Sequence, residues 1–158
     1  MSAPVPEIFK TFSLNRYFIW SIEMRDHYRQ VGKIVSPTPS FWDNEEAGRA
    51  LMYLSYWCAG LYVVCEGWLE LKLSNAEIDA LLKSPHLDVL KRFRNAVYHF
   101  QPDYFDKRFM NALLLGDHFD NRIAALTHAL AAYFEAWLKD TTATVSAQAQ
   151  EDVTTPSE

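Results

Sequence analysis

The stretch ALMYLSYWCAGLYVVC, residues 50–65, has no charged side chain between Arg49 and Glu66. Whether it crosses a membrane or fills a core decides the fold. A bilayer-spanning helix needs about 20 apolar residues, and this run is shorter and is diluted by Ser55 and Gly60. It therefore reads as a buried core helix. Its cysteines, Cys58 and Cys65, are the two in the chain. They lie seven positions apart, about 10 Å along a helix axis, too far for a disulfide within that helix. They read as buried thiols, which suits a reducing compartment, and the expected location is cytoplasmic, with no membrane partner.

Composition agrees with a packed interior. The chain has 158 residues, of which 49% are hydrophobic and 15% aromatic, enough for one domain with a sizeable core. The net charge of -5 argues against general electrostatic capture of nucleic acid, so any such contact must be a local cationic patch. The opening MSAPVPEIFK lacks the basic region and apolar run of a secretory signal.

Outward from the core run, every segment carries helical signals. A first helix is expected over Ser13–Val31, with Leu14, Tyr17, Phe18, Met24, Tyr28 and Val31 at near-helical spacing. SPTPSFW, residues 36–42, breaks it with two prolines. Asp43 and Glu46 resemble a capping box opening the core helix, which is expected to run to about Lys72. Ser74 and Glu77 form a second capping box, for a short helix to about Lys83. Ser84 then caps a fourth helix with Pro85 at its first position. That helix must stop near Phe100, because Gln101 precedes Pro102.

Asp103 is expected to cap a further helix to about Leu115, and Gly116 and Asp117 mark a stop and a new start. The last helix, Phe119–Lys139, has an apolar face through Ile123, Leu126, Leu130, Phe134, Trp137 and Leu138. The fold expected is all-α, an antiparallel bundle of about five main helices joined by short loops. Residues 1–12 read as an N-terminal extension, 13–140 as the helical domain and 141–158 as a flexible polar tail.

The chemistry concentrates in KRFRNAVYHF, residues 91–100. Leu87, Leu90, Phe93, Val97 and Phe100 recur at intervals of three and four and define a buried stripe. At about 100° per residue, Lys91, Arg92, Asn95 and His99 project on the opposite side, with Arg94 on the shoulder. Arg94 and His99 are about 140° apart, whereas Asn95 and His99 are four apart and neighbours. The Asn95 amide is thus expected to orient the imidazole. His99 is expected in the last turn, where the helix dipole favours imidazolium. A histidine that exchanges a proton near neutral pH serves phosphodiester transesterification, and an arginine fork serves a phosphate as charge builds on it. Twofold packing of this face would bring two such sets together.

Arg94-Asn95-x3-His99 resembles the R-N/D/H-x3-H signature of HEPN domains, compact helical bundles found in bacterial toxin and antiviral systems. The resemblance extends over residues 10–139 in helix order, and only the motif is specific. It implies a metal-independent endoribonuclease active as a homodimer, leaving 2',3'-cyclic phosphate ends. His99 would be general acid or base, Arg94 the phosphate ligand and Asn95 a positioning residue. An antitoxin or regulatory protein is an implied partner, and no cofactor or metal is expected. The branch of the family paired with small nucleotidyltransferase antitoxins continues His-x-Tyr. Here Gln101 stands at that position and the next tyrosine is Tyr104, which removes the basis for that particular pairing.

Lys91, Arg92, Lys107 and Arg108 supply positive charge for an RNA backbone, partly offset by Asp88, Asp103 and Asp106. Tyr98 and Tyr104 are candidate stacking surfaces for unpaired bases, while Phe100 is expected to pack inward. Glu23, Asp26 and His27 lack the Glu-x-x-His pairs of a di-iron bundle, and Asp117, His118 and Asp120 read as a helix start. There is no Gly-rich phosphate loop, nucleophile elbow or zinc-ligand spacing. Two other readings stay open: a binding module of the same fold, and a helical interaction protein whose motif is fortuitous.

Overall fold

The uncharged run lies inside the second of five α-helices among the described residues: α1 (Glu7–Gly32), α2 (Glu45–Glu70), α3 (Ala76–Leu82), α4 (His86–Tyr98) and α5 (Asp117–Thr154). These come from a computed structural model that describes residues 6–32, 45–103, 106–108, 110 and 117–154, giving the backbone alone at 117–120 and 147–154. No strand is present among them, and none of their helices is long and apolar enough to cross a membrane.

α2 is apolar around most of its girth because neighbours cover it on several sides. Trp57, Cys58, Leu61, Val64, Cys65 and Trp68 are buried along it. α1 packs along one side and α4 along another. The pairing is antiparallel: His27 stacks on Tyr53, Ser21 Oγ donates to the Trp57 carbonyl at 3.1 Å, and Leu14 sits against Gly67. A Cβ at Gly67 would meet Leu14 Cδ1, so the leucine side chain would have to shift to admit one. α5 closes the bundle through Phe134 against Phe18 and Tyr133 edge-on to Trp68. Each buried side chain of this size contributes roughly 1.5–3 kcal/mol relative to exposure.

Both thiols are buried, and burial pushes the Cys65 thiol up to about 12, so it stays protonated. Ile123, Leu126, Leu130 and Phe134 form the buried face of α5 as the spacing predicted. Other expectations need correction. α1 begins at Glu7, so residues 7–12 belong to the first helix rather than to an extension. α5 continues through residues 141–154, read from sequence as a flexible tail. Residues 142–146 are exposed, and the Thr142 and Thr144 hydroxyls donate back one turn to the Leu138 and Asp140 carbonyls. The Asp43 start signal lies outside the described residues, as does most of the helix expected over 103–115.

The joint between α2 and α3 is tied by polar groups. The Leu73 N–H reaches the Trp68 carbonyl and the Lys72 N–H the Leu69 carbonyl, with Lys72 at φ 53°; this is a Schellman end with lysine where glycine is usual. The cap of α3 is Asn75, not Ser74: Asn75 Oδ1 accepts the N–H groups of Glu77 and Ile78. Ser74 donates instead to Asp79, whose carboxylate also accepts Trp68 Nε1 at 3.0 Å and the Asn75 N–H at 3.2 Å. The Trp68 bond first, then those of Asn75 and Ser74, hold the Asp79 carboxyl below the usual range. A lowered carboxylate pKa stabilises the fold at neutral pH, and that contribution fades as pH falls through the folded value.

Candidate functional site

α4 is short and anchored by one face. The Ser84 hydroxyl accepts the His86 N–H at 3.4 Å, and Leu90, Phe93 and Ala96 are buried against α2 and the core. This places Arg94 and Asn95 on the half-buried flank that faces α2. The Arg94 guanidinium is held there through its two terminal nitrogens. Its Nη2 lies 2.5 Å from Glu66 Oε2, its Nη1 donates to Asn95 Oδ1 at 3.1 Å, and its carbon stands 5.4 Å from the Tyr62 ring centroid. Its Nε is buried with no hydrogen-bond partner among the described residues. Burial pushes the Tyr62 hydroxyl up, with Glu66 adding to the shift and Arg94 opposing it.

His99 is not in the last turn. The helix ends at Tyr98, and His99 is its C-cap with extended backbone, φ -118° and ψ 130°. The helix stops two residues earlier than expected, and the exposed Phe100, at 92%, has left the buried stripe. An extended backbone at His99 turns the chain away before Phe100 can reach the core. The tie between Asn95 and His99 is a backbone one, His99 N–H to the Asn95 carbonyl at 3.2 Å. The Asn95 side chain serves Arg94, so it does not orient the imidazole, which is exposed.

The segment after the helix folds back on its own end. Gln101 Nε2 donates to the His99 carbonyl at 2.6 Å, and Gln101 Oε1 accepts from Arg108. Asp106 holds Arg108 by its backbone N–H and its guanidinium. Two of the predicted cations, Arg94 and Arg108, are thus matched by carboxylates. Lys91, Arg92 and Lys107 are exposed and form no ion pair among the described residues. Tyr98 is 55% exposed with its ring centroid 6.3 Å from Tyr56, and burial pushes its hydroxyl up. Tyr104 lies outside the described residues.

Sequence reasoning missed Glu66, Tyr62 and Tyr56, all on α2. A signal existed for Glu66: it is the first charge after the uncharged run, on a helix whose surroundings are apolar, and such a carboxylate is rarely left without a cation. Comparison with protein-family models, with curated proteins and with solved structures found no significant match to this chain. Among the described residues no group of three or more His, Cys, Asp or Glu gathers that could hold a metal ion. Chemically, the corner offers a guanidinium poised beside a carboxylate, and an exposed imidazole at the adjoining helix end.

Proposed function

We propose that this chain is a metal-independent endoribonuclease acting as a homodimer, in the manner its HEPN-like motif implies, and that it serves as a toxin or phage-defence effector. The supporting observation is that Arg94, Asn95 and His99 sit together at the C-terminal end of α4 in an all-α bundle, with Asn95 bonded to Arg94. In this reading His99 moves the proton between the 2'-hydroxyl and the leaving 5'-oxygen. Arg94 stabilises the charge on the phosphate oxygens, and Lys91, Arg92 and Lys107 hold the flanking backbone. Glu66 must yield Arg94, in whole or part, when a phosphate enters. His99 and its copy must approach one linkage across the dimer.

A second reading is favoured by the same corner. A guanidinium already matched by Glu66 and Tyr62 suits a structural tie in a nucleotide- or protein-binding module without chemistry. Incubation of the purified protein with RNA in EDTA separates the two. The ribonuclease reading expects cleavage with 2',3'-cyclic phosphate ends, abolished by His99→Ala and by Arg94→Ala, with circular dichroism retained. Intact RNA under these conditions, from a protein that sediments as a dimer, would leave the binding module.

A further inference from the structure

Alongside the Arg94 corner, α1, α2 and α4 border an open groove of about 380 Å³, inside the roughly 300–1,000 Å³ typical of small-molecule sites. Four aromatic side chains line it, Tyr17 and Trp20 from α1, Tyr56 from α2 and Tyr98 from α4, with Glu23 among the lining residues. All four rings remain 39–55% exposed. Tyr17 and Trp20 meet edge to face at 5.4 Å, and Tyr56 and Tyr98 lie 6.3 Å apart. Guanidinium groups flank the rings. Arg16 lies 5.8 and 5.3 Å from the Tyr17 and Trp20 centroids. Arg94 precedes Tyr98 by one turn of α4, about 6 Å along the axis, and its guanidinium lies over Tyr62 on α2.

Aromatic faces between cations suit a planar base with phosphates on either side. Glu23 narrows the choice. A carboxylate is acceptor-only, with two oxygens side by side, and guanine is the RNA base whose Watson–Crick edge presents two adjacent donors, N1–H and the 2-amino group.

We propose that this groove is a nucleobase subsite for an unpaired guanine, stacked among Tyr17, Trp20, Tyr56 and Tyr98 and gripped along its Watson–Crick edge by Glu23. The subsite deepens the ribonuclease reading, on which it rests for its substrate class, and places a base next to the phosphate that Arg94 would hold.

The test uses the full chain with guanosine and uridine monophosphates as probes, following the Trp20 indole N–H by NMR, identified by its loss in Trp20→Phe. Guanosine monophosphate is expected to shift this signal saturably and to bind about tenfold more tightly than the uridine compound, the difference a charged hydrogen-bond pair makes. Glu23→Gln should erase the preference, and Tyr56→Ala or Tyr98→Ala should weaken both nucleotides about tenfold. No Trp20 response at millimolar nucleotide, equal affinity for the two bases, or an unaltered preference in Glu23→Gln would overturn the subsite. So would a Trp20 signal that moves with protein concentration alone, which assigns the groove to a second copy. Base binding without RNA cleavage overturns the ribonuclease reading and keeps the subsite; cleavage without a Trp20 response does the reverse.

Discussion

Glu66 and Trp68 stand two residues apart near the end of α2, about 200° apart around its axis, and the polar clusters they join differ in kind. Trp68 turns to α3, where Asp79 takes its N–H together with Ser74 and the Asn75 backbone. The partners are close in sequence, and each named donor ends on an acceptor. Glu66 turns to α4 and meets Arg94, 28 residues on. There the guanidinium keeps a buried Nε without a partner, against an aromatic ring. The first cluster closes a turn. The second holds a charge that could be given to something else, at the end of the helix that carries the candidate site. An unpaired donor in a half-buried site calls for an explanation, and an acceptor on a bound ligand is one.

The largest effect that would sharpen this contrast comes from the closed cluster. Trp68 is fully buried, and Trp68→Ala should lower stability by about 3–5 kcal/mol in urea unfolding, from the lost packing alone. The open cluster should respond far less. The Arg94 and Glu66 side chains are 28% and 41% exposed, so solvent screens their attraction. Glu66→Ala should cost about 0.5–1.5 kcal/mol, and a double-mutant cycle with Arg94→Ala should return a coupling of that order. A coupling as large as the Trp68 effect would mean that both clusters serve the fold, and the contrast would fail.

The smallest effect has the opposite sign. Lys72 adopts φ 53° at the Schellman end of α2, a conformation that disfavours a Cβ. Lys72→Gly should raise stability by about 0.5–1 kcal/mol, read as a higher urea midpoint at unchanged slope. A fall would show that the lysine side chain contributes more at the joint than its backbone gives up.

Much of the fold was legible because it is written locally. The uncharged run with Ser55 and Gly60 was correctly a core helix, and the three- and four-residue spacing of Ile123, Leu126, Leu130 and Phe134 named the buried face of α5. Among the described residues, Ser74, Pro85 and Pro102 located the breaks around α3 and α4 to within a few residues. Errors fell where two local choices were nearly equal. Ser74 and Asn75 can both cap a helix, and Asn75 prevails because Asp79 draws Ser74 to itself. The segment after Asp140 is polar, and polarity alone did not mark the end of α5, which continues through residues 141–154.

The sequence by itself determined the helical class, the central helix, most of the buried faces and the placing of Arg94 and Asn95 on one short helix with His99 at its end. Periodicity and turn chemistry act over a few residues, so one chain read in order contains them. Only the tertiary structure decided that Arg94 pairs with Glu66, that Asn95 serves the arginine instead of the imidazole, and that His99 leaves the helix to stand exposed. Those outcomes depend on which faces of distant helices pack together, and an ion pair in a half-buried corner forms with whatever opposite charge that packing delivers.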